Sequence, residues 1–187
     1  MTLRSIAIVV GALVLAGSVF GGGNVAAADG CSVHASGRWI AYPAGRAYGT
    51  EAFSSGPTCA QAAVMIVVRA PDGGVAWVDA APGEHVMTFA SVKTRQEMSS
   101  ALTDWLSQTS MFKTTRELPA WPEGAQEPKS GEFPFMPESW IDREYYERTR
   151  AEGLPLFCYI QGMESIACIV LSRDGQMEKI GVQSFPG

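Results

Sequence analysis

Apolar positions along the chain follow three rhythms, and each predicts a different kind of element. The first is an unbroken uncharged run from Ile6 to Phe20. The second is a set of short β-rich runs bounded by turn residues. The clearest of these, Ala62 to Arg69, carries Val64, Met65, Ile66, Val67 and Val68 in a row. A continuous run of this kind predicts a strand buried on both faces. The third is a period near 3.6. Met98, Ala101, Leu102, Trp105 and Leu106 fall at i, i+3, i+4, i+7 and i+8, one apolar stripe of a helix.

Turn chemistry divides the β-rich stretches into hairpins. Arg38–Tyr42 and Arg46–Ala52 flank Pro43-Ala44-Gly45, and Ser54-Ser55-Gly56-Pro57 turns the chain. Pro71-Asp72-Gly73-Gly74 returns the buried run as Val75–Asp79; Pro82-Gly83 precedes a third strand at His85–Phe89. Near the end, Leu156–Gln161, Ile166–Ser172 and Met177–Phe185 predict three strands, separated by Gly162-Met163 and Arg173-Asp174-Gly175. Residues 67–73 and 169–175 look alike, each a β-run ending in Asp-Gly, and two hairpins of one kind explain this without a repeat.

Two helices complete the pattern. Thr94 with Glu97 forms a capping box, in which each side chain satisfies a free backbone N–H of the first turn. The second helix is expected over Glu138–Glu152. It has a similar box at Ser139 and Asp142, a shared face of Trp140, Ile141 and Tyr145, and a Glu144–Arg148 pair at i,i+4. Gly153 and Pro155 stop it. Strands grouped in hairpins, without regular βαβ alternation, predict an α+β fold: an antiparallel, twisted sheet of about six to eight strands covered by two amphipathic helices. A two-sheet, β-rich arrangement is the alternative.

The first apolar run changes the picture of where the protein works. Arg4 precedes it, Gly21-Gly22-Gly23-Asn24 breaks it, and Ala26-Ala27-Ala28 offers small residues to a peptidase. That order is a secretion signal over residues 1–28, and the run is short of the roughly 20 residues a membrane span needs. Retained, the same segment becomes an anchor. Cleavage after Ala28 leaves residues 29–187 as a single domain, periplasmic or secreted. Its 13 basic residues face 19 acidic ones, with no cationic cluster, so nucleic acid is not an expected partner.

Cys31, Cys59, Cys158 and Cys168 all lie beyond the signal, and an even count in an exported chain predicts two disulfides. Three pairings are open. Cys31–Cys59 and Cys158–Cys168 close local loops, and a turn centred on Met163 sets the second pair opposite one another. No C-x-x-C or zinc spacing occurs, and no metal or cofactor is expected.

Catalytic motifs are weak. Ser110-Met111-Phe112-Lys113 fits S-x-x-K, but K-T-G is absent and no Asn follows Asn24. His34 and His85 lie in no ligand or triad spacing. Glu138, Asp142, Glu144, Glu147 and Glu152 share the second helix with Arg143, Arg148 and Arg150, a pattern typical of an exposed charged helix. The segment 119–137 is the stronger candidate. Five prolines are interleaved there with Trp121, Phe133, Phe135 and Met136, apolar side chains that suit a partner surface or cover the sheet.

From Tyr145 to Phe185 the order helix, Glu152-Gly153, strands, Asp174-Gly175, strand resembles the periplasmic C-terminal domain of TonB-type energy transducers. It departs by an extra strand around Cys158 and ends before that family's last helix and aromatic strand, so no residue role is carried over. The expected function is a small, non-catalytic binding or accessory protein of the bacterial envelope, with an envelope protein as partner. The alternatives are a small exported hydrolase-like enzyme with a site assembled from distant residues, and a membrane-anchored accessory subunit.

Overall fold

The computed structural model describes residues 30–107, 112–128 and 133–184. The export signal lies outside these residues. The elements run β1 (Val33–Ala41), β2 (Arg46–Ser55), β3 (Ala63–Arg69), β4 (Val75–Pro82), α1 (Arg95–Ser107), β5 (Phe135–Pro137), α2 (Arg143–Glu152), β6 (Leu156–Ile160), β7 (Ser165–Leu171) and β8 (Met177–Ser184). The α+β fold built from hairpins is observed, with its eight strands divided between two antiparallel sheets. The first has the order β1-β2-β3-β4, the second β5-β8-β7-β6.

The first sheet is a plain meander with one dry face. Register places Trp39 opposite Tyr48, Thr50 opposite Val68 and Ala52 opposite Ile66. All six of these side chains are buried. The other face is open to solvent: His34, Ser36, Arg38 and Ile40 are exposed, and Arg69 pairs with Glu51 across it at 2.8 Å. The strand expected to be buried on both faces is therefore buried fully on one. Val64, Ile66 and Val68 face the core, while on the other face Met65 is half-buried and Val67 is buried. A run of β-branched residues satisfies a central strand of a one-sided sheet as well as a two-sided one.

Helix α1 packs on the dry face over β1 and β2. Its cap forms as expected: Thr94 Oγ1 accepts from the Glu97 N–H at 3.2 Å, and Glu97 accepts from the Thr94 N–H at 2.9 Å. The third strand expected at His85–Phe89 is absent. In its place the N–H groups of Val86, Phe89 and Val92 bond back three residues, to Gly83, Val86 and Phe89. Apolar residues at every third position thus bury Val86, Phe89 and Val92 together, where the sequence reading assumed an extended chain.

The second sheet is more deeply placed, and every residue of β6 is buried. Helix α2 begins five residues later than expected. Asp142 is its cap, accepting from the Tyr145 N–H at 2.7 Å, while Ser139 stays exposed in a turn. The cause lies upstream. The Glu138 N–H bonds the Ile180 carbonyl at 3.2 Å and extends the β5–β8 pairing, so the chain must turn before it can coil. Gly153, with φ of 65°, ends the helix in the left-handed region that glycine favours. Gly181 serves a different need. A Cβ there would lie 2.7 Å from the Phe135 ring and 2.5 Å from the Met136 carbonyl oxygen, so only glycine lets β5 close onto β8.

Both expected disulfides form, Cys31–Cys59 and Cys158–Cys168, and leave no free cysteine among the described residues. The second joins directly opposed residues of β6 and β7. Two disulfides indicate an oxidising environment.

Aromatic side chains join the sheets. Trp39 of the first sheet meets Phe157 of the second at 5.3 Å. Phe157 contacts Tyr159, and Tyr159 contacts Trp105 of α1 edge-on. The Tyr159 hydroxyl donates to Asp79 at 2.7 Å and accepts from the Trp77 indole N–H at 3.2 Å, both on β4. Burial, together with the Asp79 carboxylate, pushes the Tyr159 hydroxyl well above the usual phenol range. Buried residues of both sheets and both helices form one hydrophobic cluster.

Tyr159→Phe removes the hydroxyl and leaves two partners on β4 unmatched; urea unfolding should show a loss of about 1–3 kcal/mol. On the chain-entropy model, removing Cys31–Cys59 (separation 28) costs about 3–4 kcal/mol and removing Cys158–Cys168 (separation 10) about 3. Melting of the two paired Cys→Ala variants checks that order.

Candidate functional site

The first part of the Pro-rich segment, residues 119–125, is held along α2 by that helix's own charged and aromatic side chains. The Trp121 N–H donates to Glu147, its carbonyl accepts from Arg143 at 2.9 Å, and its indole N–H donates to the Ala125 carbonyl at 2.9 Å. Tyr146 and Arg150 bond the carbonyls of Pro119 and Leu118, each at 2.8 Å. The residues of α2 that read as a charged, solvent-facing pattern therefore include the clamps that order this segment. Glu144 and Arg148 keep the plain surface role, paired at 3.7 Å.

The four candidate binding residues separate. Phe135 is 1% exposed, and its ring lies against Tyr146 beneath β5. Trp121 is half-buried, edge-on to the same Tyr146 at 5.7 Å. Phe133 and Met136 are open, at 39% and 46%, and Trp140, which the sequence reading placed on the helix face, is 56% exposed. Strand alternation explains the split: Phe135 and Met136 are neighbours on β5 and must face opposite ways. Beside Trp140, Tyr145 donates a hydrogen bond to Glu178. Desolvation first, and that carboxylate second, push the Tyr145 hydroxyl up to about 12.

The titratable candidates are dispersed. His34 stacks on Phe53 at 4.5 Å on the open face of the first sheet. His85 is exposed in a turn, 3.8 Å from Glu84. Ser110 lies outside the described residues, and Lys113 sits at the rim of a surface groove. Neither histidine lines any of the three clefts described next. Among the described residues, no three of His, Cys, Asp and Glu gather as a metal site, and no helix is long and apolar enough to cross a membrane.

Two clefts meet at one end of the molecule. The larger, about 760 Å³, runs between the β3–β4 and β7–β8 turns; the second, about 500 Å³, lies between the β1–β2 hairpin and the end of α2. Both include Arg46, Tyr48 and Gly175. The sequence likeness of 67–73 to 169–175 is explained here. The turns share one geometry: glycine at positive φ (Gly73 and Gly175) follows an aspartate that accepts from the N–H two residues on. The fold brings both turns to one cleft. In the second turn, the hydrogen bond from Ser172, followed by that from the Gln176 N–H, holds the Asp174 carboxyl below its usual range.

The third cleft, about 410 Å³, is a groove between β1 and the Phe112–Lys113 segment. No local pattern in the sequence marks it, because its walls come from β1, the end of α1 and the start of β6. Comparison with protein-family models, curated proteins and solved structures finds no match to this chain, so the TonB-like order of elements has no family match beside it.

The split within the Pro-rich segment is directly measurable. Phe135→Ala should cost about 3–5 kcal/mol in denaturant unfolding, as for a buried aromatic, while Phe133→Ala should stay within about 0.5 kcal/mol.

Proposed function

We propose that this chain is a small, exported, non-catalytic binding protein of the bacterial envelope, released into the periplasm or medium after cleavage near Ala28. One observation carries the reading. Phe133, Met136 and Trp140, three large apolar side chains, stand exposed within eight consecutive residues around β5, an outer strand of the second sheet. Singly exposed apolar residues are ordinary, whereas a local group of them marks a contact surface. The stretch that presents them is held to β8, by the β5 ladder, the Ser184 N–H on the Pro134 carbonyl at 3.0 Å and the Glu138 N–H on the Ile180 carbonyl at 3.2 Å, so its side chains meet a partner pre-ordered, at a low entropic cost. The disulfides support export, and the separation of His34, His85 and Lys113 supports a binding role over a catalytic one.

Periplasmic extract from the native host, passed over immobilised protein, provides the test. The combined variant Phe133→Ala, Met136→Ala, Trp140→Ala should lose the captured partner while its melting temperature stays within about 2 °C of the parent, as expected for surface changes. Capture that is unchanged in this variant removes the β5 surface from the account. Mass spectrometry of the native protein should find an N-terminus at Asp29.

A further inference from the structure

Each sheet has two outer strands, and an outer strand presents unpaired backbone N–H and C=O groups that invite another strand. Three of the four are guarded. β4 carries a register break opposite Val68–Arg69 and ends in Pro82. β5 has three residues, ends in Pro137 and follows Pro134. β6 is bridged at its start, where Thr114 pairs with Pro155, and capped at its end, where Trp105 donates to the Ile160 carbonyl at 2.7 Å.

β1 has none of these protections. It is nine residues long, pairs with β2 in unbroken register, and contains no proline, lysine or bulge. Ser36, Gly37 and Arg38 are exposed in succession. No hydrogen bond other than its ladder to β2 reaches the backbone of residues 34–40 among the described residues.

The third cleft runs along this same edge. Arg38, Trp39 and Ile40 are consecutive and all line it, which side chains of a strand do only when its edge, not a face, forms the wall. The remainder of the groove is mostly apolar, with Leu106, Phe112 and Leu156. Arg38 and Lys113 stand in its lining, and neither side chain has an ion-pair or hydrogen-bond partner among the described residues. In a chain of net charge −5, two unpaired cations on one apolar groove give it a charge preference opposite to that of the whole molecule.

We infer that the β1 edge is a strand-addition site for an extended, acidic peptide segment of a partner protein. Backbone hydrogen bonds to β1 supply the register, an apolar side chain enters the groove, and a flanking carboxylate meets Arg38 and Lys113. The inference deepens the binding reading above and rests on it, but uses a surface separate from Phe133, Met136 and Trp140.

The probe is a fluorescein-labelled octapeptide of alternating valine and glutamate, with the valine–lysine octapeptide as its charge-reversed control. Fluorescence anisotropy should show saturable binding of the first and at least tenfold weaker binding of the second. Arg38→Glu with Lys113→Glu should weaken the glutamate peptide at least tenfold and reverse the preference; both side chains are exposed, and circular dichroism confirms the fold of the variant. Hydrogen exchange should show bound peptide protecting amides within 34–41. Equal binding of the two peptides, or no added protection in β1, overturns the inference. So does decanoate occupying the groove while neither peptide binds, or a β1-to-β1 dimer in light scattering that leaves the peptide no site. The Phe133→Ala, Met136→Ala, Trp140→Ala variant should bind the peptide like the parent. If the peptide fails while envelope capture persists, the β1 assignment falls and the binding reading stands.

Discussion

The fold depends on covering one apolar face of the first sheet. That sheet has a dry side and a wet side, and neither α1 nor the second sheet covers the dry side alone. The two share it. Trp39, Phe157, Tyr159 and Trp105 form an aromatic chain from the first sheet, through β6, to α1, with T-shaped contacts at both ends and a tilted one between Phe157 and Tyr159. Aromatic pairs of this geometry add about 0.5–1.5 kcal/mol each beyond the area they bury. The Tyr159 hydroxyl adds direction to a contact that is otherwise greasy and free to slide. Its two bonds to β4 set where β6 sits across the sheet. A fully matched polar group in a dry interface specifies one arrangement, because every other arrangement leaves it unpaired.

The same constraint decides what is left for function. With β6 drawn into the interface, α2 meets the second sheet through Tyr146 against Phe135 and Tyr145 bonded to Glu178, and residues 119–125 follow α2. Residues 119–125 carry no regular structure, and the carbonyls of Leu118, Pro119 and Trp121 are satisfied by Arg150, Tyr146 and Arg143. Residues 134–138 are held in turn by β8, through the β5 ladder and the bonds of Ser184 to Pro134 and of Glu138 to Ile180. The side chains this stretch turns outward are therefore presented in one geometry, which suits recognition better than a mobile loop would.

Local signals in the sequence were reliable where a few neighbouring residues decide the outcome. The Thr94–Glu97 cap, the Gly153 stop, the Asp-Gly turns and the Cys158–Cys168 register are all short-range matters, and each is found where the pattern puts it. The errors share a different origin. Ser139 and Asp142 are both competent caps, and the choice fell to Asp142 because the preceding residues were already paired with β8. His85–Phe89 has an apolar pattern that an extended chain and a run of tight turns both satisfy. Phe133, Phe135 and Met136 are equivalent by composition, and only the pairing of β5 with β8 turns Phe135 inward.

By itself, the sequence determined most of the element types, the hairpin connections and the α+β class, and it favoured the disulfide pairing that forms, because periodicity, turn chemistry and cysteine spacing act over a handful of residues. It also marked 119–137 as the segment to watch. Only the tertiary structure decided that eight strands make two sheets, which of the four apolar candidates stay exposed, and that Arg38 and Lys113, 75 positions apart, line one groove. The physical reason is the same in each case. These outcomes depend on which surface covers which, and burial is settled by contacts between residues that the sequence places far apart.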